Sequence, residues 1–199
     1  AESGQIELST PPHYHPLAPL LIDFTSARDS LPEAMLPANP IYPGGRKRVA
    51  FHLQSAIDSH RKRFSSEPVG VWPAEGAVSE PLLDILADHG RQWCASGEGV
   101  LANSLRKSHP DQPLPARNEY LYRPYRFETG NSSILCFYRD DQLSDMIGFE
   151  YSKWFGHDAA ENFIQRLEQI RNETHNNNPA PIVSVILDGE NAWESYPYN

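Results

Sequence analysis

Residues 182–187 read Ile182-Val183-Ser184-Val185-Ile186-Leu187, a near-continuous apolar run entered from Pro179-Ala180-Pro181. Such a run predicts a parallel strand covered on both faces. Upstream, Val69 and Val71 alternate as a short strand should, and Pro73 ends it. Ser79-Glu80-Pro81 then opens a helix with Leu82, Leu83, Ile85 and Leu86 on a 3.6-residue period, closed by His89-Gly90. Residues 92–96 and 133–138 predict two more strands, and 5–9 another. A short helix is expected over 17–24, inside a Pro-rich loop spanning 11–43. After Gly44-Gly45, Val49, Leu53, Ala56, Ile57, His60 and Phe64 share one helical face. A further helix is expected over 143–149. Asp158-Ala159-Ala160-Glu161 has capping-box form and opens the last one, with Phe163, Ile164, Leu167 and Ile170 inward. Residues 97–130, interrupted by Pro110, Pro113, Pro115 and Pro124, predict a long irregular connection.

Strands that alternate with helices argue for a parallel sheet, because parallel neighbours need a crossover connection. Periodicity alone does not separate an open doubly wound sheet from an incomplete barrel. It does place acidic residues at two strand ends, where parallel sheets carry their chemistry. Glu75 follows Trp72 and Pro73 at one strand-to-helix turn. Asp188-Gly189-Glu190-Asn191-Ala192-Trp193-Glu194 follows the 182–187 run. Two carboxylates on one rim are what glycoside hydrolysis requires, one as nucleophile or base and the other as general acid. Asp188, ending an apolar strand, has the setting that suits an acid. Glu190 competes for that role, since alternate residues of an extended chain face the same way. A turn at Gly189 favours Asp188.

Four segments in order carry a resemblance over nearly the whole chain. They are Gly4-Gln5-Ile6-Glu7-Leu8-Ser9 with Tyr14-His15-Pro16, then Val71-Trp72-Pro73-Ala74-Glu75-Gly76, then Leu143-Ser144-Asp145-Met146-Ile147-Gly148-Phe149, and Leu187-Asp188-Gly189-Glu190-Asn191. Together they resemble glycoside hydrolase family 57, in particular its α-amylase and amylopullulanase-like members. The resemblance implies Glu75 as nucleophile and Asp188 as acid/base of a retaining mechanism on α-linked glucans. It implies a seven-stranded, incomplete parallel β/α barrel followed by helices. It also marks Glu7 as a substrate-binding group, His15 as a sugar-binding or acid-orienting group, and the segment that holds Asp145. The family's His-Gln-Pro first strand does not precede Gly4, and its helical region does not follow Asn199. Residues 1–199 are therefore expected to be a fragment of one catalytic barrel domain.

Each of these residues also has a plainer reading. Glu7 is a site group or an edge-strand charge in water. Asp145 binds a sugar hydroxyl or caps its helix. Asp140 and Asp141 follow the 133–138 strand and are second-rank candidates. Aromatic residues crowd the loops, among them Tyr120, Tyr122, Tyr125, Tyr138, Trp154, Tyr196 and Tyr198; their apolar bodies and polar tips suit sugars as well as cores. Trp72 and Trp193 stand out as substrate-binding because each neighbours a candidate carboxylate. His13 and His15 form a single His-x-His pair, weak evidence for a metal, and no cofactor is expected.

Composition narrows the classes. In 199 residues the net charge is −9, and the basic clusters at 46–48 and 61–63 are short enough to be solvated helix positions. Nucleic acid is thus not an expected partner. No apolar run reaches membrane-spanning length, and a cytoplasmic location is favoured. Cys94 and Cys136, the only two cysteines, read as buried thiols rather than a disulfide framework. Two other functions compete: a metal-dependent carbohydrate deacetylase on a similar barrel, which needs an Asp and two His converging on one metal, and a non-catalytic glucan-binding homologue.

Overall fold

The computed structural model describes residues 3–130, 132–175, 180–190 and 192–197. Pro179, Asn191, Tyr198 and Asn199, named above, lie outside the described residues. The chain divides into two compact units, Ala1–Ser96 with Tyr125–Phe137, and Gly97–Pro124 with Tyr138–Asn199. Among the described residues the fold class is mixed α/β, with one four-stranded sheet.

In the first unit, α1 (Ala18–Ile22) and α2 (Ala27–Ser30) lie in the Pro-rich segment, and α3 runs over Gly45–Phe64. Val49, Leu53, Ala56, Ile57 and His60 form the buried face of α3, as their spacing predicts. Phe64, expected on that face, is exposed, because it falls in the last turn where the chain reverses through a left-handed Ser65. Glycine is required at position 45, where a Cβ would lie 1.6 Å from the Leu21 carbonyl oxygen and separate α1 from α3. α4 (Glu80–Asp88) begins and ends where its signals lie. Pro81 sits in the first turn, and Gly90, at φ 73°, takes the left-handed conformation that closes the helix.

The sheet is ordered β1-β2-β4-β3, with β1 over Gly70–Val71, β2 over Trp93–Gly97, β3 over Tyr125–Glu128 and β4 over Ser133–Arg139. β1 and β2 are parallel, registering Gly70 with Trp93 and Val71 with Cys94. β3 and β4 are antiparallel, so the sheet is mixed where an all-parallel one was expected. The short link between them permits only a hairpin, since a parallel partner would need a crossover of a dozen residues or more. The Cys94 and Cys136 thiols are buried, with their sulfurs 3.7 Å apart. That neighbouring thiol and then burial push Cys94 above the ordinary thiol range.

Residues 5–9 do not form a strand. Ladder bonding begins only at Thr10, whose isolated parallel bridge to Val71 leaves Ile6 and Leu8 exposed. β1 is two residues long and offers no longer edge. Its Gly70 has a packing reason, because a Cβ there would lie 1.9 Å from the Trp93 ring. Gly70→Ala is expected to displace that indole and cost about 1 to 3 kcal/mol. A lowered denaturation midpoint with a shifted tryptophan emission would show it, and an unchanged midpoint would argue against so close an approach.

The second unit holds α5 (Glu98–Ser108), α6 (Arg117–Tyr120), α7 (Asp141–Asp145) and α8 (Gly156–Glu173). The expected irregular connection over 97–130 therefore contains two helices and β3. Its prolines delimit these elements rather than preventing them, α5 ending two residues before Pro110. α7 passes into a wide π turn over Met146–Glu150 and a 3-10 turn over Tyr151–Lys153, in place of one regular helix over 143–149. α8 starts ahead of the capping box. Asp158 instead lies in the first turn, where its charge suits the positive end of the helix, while Ile164 faces out.

Residues 182–187 are not a strand covered on both faces. Ile182 is exposed, 183–187 are half-buried, and the pairing is one isolated parallel bridge from Ser184 to Arg139. The polar groups of this segment are met by different partners along its length. Ile182 N–H donates to the Tyr122 carbonyl, Asp140 N–H donates to the Ser184 carbonyl, and Ile186 N–H donates to Ser144 Oγ. An extended segment tied in this manner satisfies its backbone without a second strand beside it.

Candidate active site

In the first unit the local sequence builds a constrained turn around Glu75. Pro73 stops β1, and Ala74–Gly76 closes a 3-10 turn in which Gly76 N–H donates to the Pro73 carbonyl at 2.9 Å. Within it Glu75 adopts φ 55° and ψ 21°, a left-handed conformation that costs a residue with a Cβ roughly 1 to 2 kcal/mol. The turn is held from β2 by the buried Ser96, whose hydroxyl donates to the Gly76 carbonyl at 2.5 Å. Glu75 therefore projects outward, its side chain 65% exposed, from a turn that the core fixes.

His15 comes to the same place from the amino-terminal loop. Its Nε2 lies 3.3 Å from Glu75 Oε1 and donates to it. Tyr14 and His15 are both left-handed, at φ 63° and 52°. Thus Tyr14, His15 and Glu75 are all held in a sparsely populated conformation, two of them in mutual contact. Strain of this kind persists only where the surroundings over-determine it, and it collects at functional sites.

Trp72 is half-buried beside this turn, and its backbone N–H donates to the Thr10 carbonyl at 3.1 Å. Glu7 accepts from Trp93 Nε1 at 2.7 Å. Trp93 lies over Gly70 and meets the Phe137 ring edge-on, with centroids 6.1 Å apart. Glu7 is therefore not a strand residue; it is exposed to solvent while bonded to Trp93. Trp93 was missed in the sequence because its partner lies 86 residues away. His13, left without a role above, pairs with Ser55 at 2.6 Å and stacks on Tyr14.

In the second unit Asp188 is exposed, so the apolar shielding expected of it is not there. Its Oδ1 accepts from Glu190 N–H at 3.2 Å, closing the expected turn over Gly189. Trp193 is half exposed and meets Tyr196 edge-on; the Tyr196 hydroxyl donates to the Ile147 carbonyl at 2.6 Å. Asp145 does not cap α7. That place belongs to Asp140, which accepts from Leu143 N–H at 2.9 Å, while Asp145 accepts from Arg139 Nη2 at 2.6 Å.

Asp140 is buried and belongs to an ion network rather than to a rim. Arg117 grips Glu98 through two bonds of 2.6 and 2.7 Å, reaches Asp140 at 2.7 Å, and donates to the Tyr122 hydroxyl, which itself donates to Asp140. The carboxylates hold Arg117 above its ordinary range despite burial, and burial followed by Asp140 pushes the Tyr122 hydroxyl up. Tyr120 and Tyr122 are buried, so they fill the core. A cavity of about 290 Å³ opens beside this network, lined by Arg117, Tyr122, Asp140, Arg166 and Glu173 among others. Of the residues singled out in the sequence, Asp140 and Tyr122 line it, whereas Glu75 and Asp188 do not. Among the described residues no group of three or more His, Cys, Asp or Glu side chains is placed to hold a metal ion. No helix among them is long and apolar enough to cross a membrane.

Glu75 is thus a strained, exposed carboxylate at a turn that follows a strand, in a mixed α/β frame. The family model of Glycosyl hydrolase family 57 matches residues 1–199, and the chain belongs to that family. Among solved structures it is similar to the 4-α-glucanotransferase from Thermococcus litoralis, at 18% identity and a TM-score of 0.57, over 95% of this chain and 22% of that one. The α-amylase AmyC from Thermotoga maritima matches at 18% identity and a TM-score of 0.47, over 73% of this chain and 22% of that one. Residues 1–199 thus span about a fifth of the length of either. A search of curated proteins returned no match.

Proposed function

We propose that the intact protein is a retaining glycoside hydrolase or glucanotransferase acting on α-linked glucans, with Glu75 as nucleophile and Asp188 as general acid/base. The observation that carries this reading is the conformation of Glu75, held left-handed on a turn braced by Ser96 and hydrogen-bonded to His15. Family membership supports the substrate class, and the 4-α-glucanotransferase of similar fold agrees with it. Residues 1–199 are then part of a catalytic domain of the incomplete, seven-stranded β/α-barrel type.

In the first step a Glu75 oxygen attacks the anomeric carbon while Asp188 gives its proton to the departing glycosidic oxygen. In the second, Asp188 takes a proton from water or from the hydroxyl of an acceptor sugar, whose oxygen displaces Glu75. Water gives hydrolysis and a sugar gives transfer. Retention requires the two carboxyls about 5 to 5.5 Å apart in the working enzyme. Glu7, His15, Trp72, Asp145, Glu190 and Trp193 are assigned to substrate binding. Sugars present apolar C–H faces to Trp72 and Trp193, and hydroxyls to the acids and the imidazole.

The acid assignment is tested through the leaving group. Asp188→Asn is expected to lower turnover of a maltooligosaccharide by about a hundredfold or more, and that of an activated aryl α-glucoside much less, because a good leaving group needs little protonation. Equal losses on both substrates would remove Asp188 from the role.

A further inference from the structure

Asp188 stands at the end of a segment with no strand pairing beyond one bridge, yet a general acid must be placed to a fraction of an ångström. What holds it is found two residues earlier. Both polar groups of Ile186 are bonded to side chains from one stretch, 139–144. Ile186 N–H donates to Ser144 Oγ at 3.1 Å, and Arg139 Nε donates to the Ile186 carbonyl at 2.9 Å. Ser144 is buried and donates in turn to the Asp140 carbonyl at 2.7 Å.

Arg139 has further bonds to make. Its Nη1 donates to Asp141 Oδ1 at 2.7 Å and its Nη2 to Asp145 Oδ1 at 2.6 Å. The guanidinium is a rigid planar fork, so two carboxylates bound through Nη1 and Nη2 fix the direction in which Nε points. One flexible side chain is thereby turned into a fixed donor aimed at the Ile186 carbonyl. Its side chain is 21% exposed, whereas its partners Asp141 and Asp145 are 42% and 53% exposed. This also gives Asp145, in the segment Leu143-Ser144-Asp145-Met146-Ile147-Gly148-Phe149, a structural task beside any contact with substrate.

We propose that Arg139, held by Asp141 and Asp145 and assisted by Ser144, is a positioning residue that fixes the Ile186 peptide and through it the placement of Asp188. The proposal rests on Asp188 being the general acid/base. Removing the Arg139 donor frees one side of that peptide and allows the acid to wander, while the sugar-binding groups of the first unit keep their own supports. The loss of kcat then falls hardest where protonation of the leaving group matters most.

The test is steady-state kinetics on the intact protein for Arg139→Met, Arg139→Lys, Asp188→Asn and the Arg139→Met/Asp188→Asn double variant, each with a maltooligosaccharide and an activated aryl α-glucoside. Arg139→Met is expected to lower kcat on the maltooligosaccharide about ten- to a hundredfold, with a smaller loss on the aryl glucoside. Arg139→Lys, with one point donor in place of the fork, recovers part of that loss. In the double variant the Arg139 effect on kcat should disappear, since there is no acid left to position. Equal losses on the two substrates, or an undiminished Arg139 penalty in the Asp188→Asn background, would overturn the positioning role. A leaving-group dependence in Asp188→Asn that is absent from Arg139→Met removes the positioning role alone. Its absence from Asp188→Asn itself removes the acid assignment and this proposal with it. Should Arg139→Met fail to fold, Arg139→Lys and Ser144→Ala decide, and wild-type kcat in both would overturn the proposal.

Discussion

Glu75→Gln in the intact protein is expected to cut turnover of an α-glucan by at least about a thousandfold while leaving substrate binding largely in place. The amide is nearly isosteric with the carboxylate and still accepts from His15 Nε2, so the turn and its contact survive. It cannot form the covalent intermediate. Loss of activity with an unchanged unfolding midpoint would show that the chemistry, and not the fold, was removed. A variant that retains more than about a tenth of the activity would exclude Glu75 as nucleophile. A second substitution separates strain from chemistry. Glu75→Gly is expected to be equally inactive but no less stable, with up to about 1 kcal/mol gained, because glycine occupies φ 55° without steric cost. A part of that gain is offset by the greater freedom of glycine in the unfolded chain. A residue that is stabilised by replacement and inactivated by it is being kept for function.

Arg117→Met is the second large effect, and it is one of stability. Arg117 supplies hydrogen bonds to Glu98 and Asp140, and Asp140 is 1% exposed. Methionine fills similar volume but leaves a buried carboxylate with a lost cationic partner, which costs about 3 to 5 kcal/mol. The denaturation midpoint is expected to fall accordingly. Asp140→Asn should be milder, because the amide oxygen can still cap α7 through Leu143 N–H and Arg117 keeps its two bonds to Glu98. If Arg117→Met unfolds at the wild-type midpoint, the network does not hold this unit together. Replacing the entire set by apolar residues is a different experiment, since paired buried charges removed together are often neutral to stability.

Short-range features of the chain were readable from the order of its residues. The apolar period of α3 and α4 marked their buried faces, and Gly90 marked where α4 stops. The cores of β2 and β4 fell where the strand patterns put them. Four motifs in order pointed to the family that the whole-length match establishes. They also set Glu75 and Asp188 just after apolar segments. All of this is local information, because periodicity, capping and turn chemistry act over fewer than about ten residues.

Tertiary structure alone decided the rest. The alternation of Tyr125 and Phe127 lay hidden among prolines until β4 gave β3 an edge to pair with. The run over 182–187 looked like a two-sided strand, but its neighbours supply one bridge and a set of side-chain tethers. Glu7 acquires its partner from 86 residues away and Arg139 reaches Ile186 across 47. No window of sequence contains such pairs. Residue type made Glu75 a candidate, whereas its left-handed backbone exists only because β2 holds the following carbonyl and the amino-terminal loop brings His15 alongside. A short segment specifies which conformations are cheap, and only contacts distant in sequence can hold a residue in one that is not.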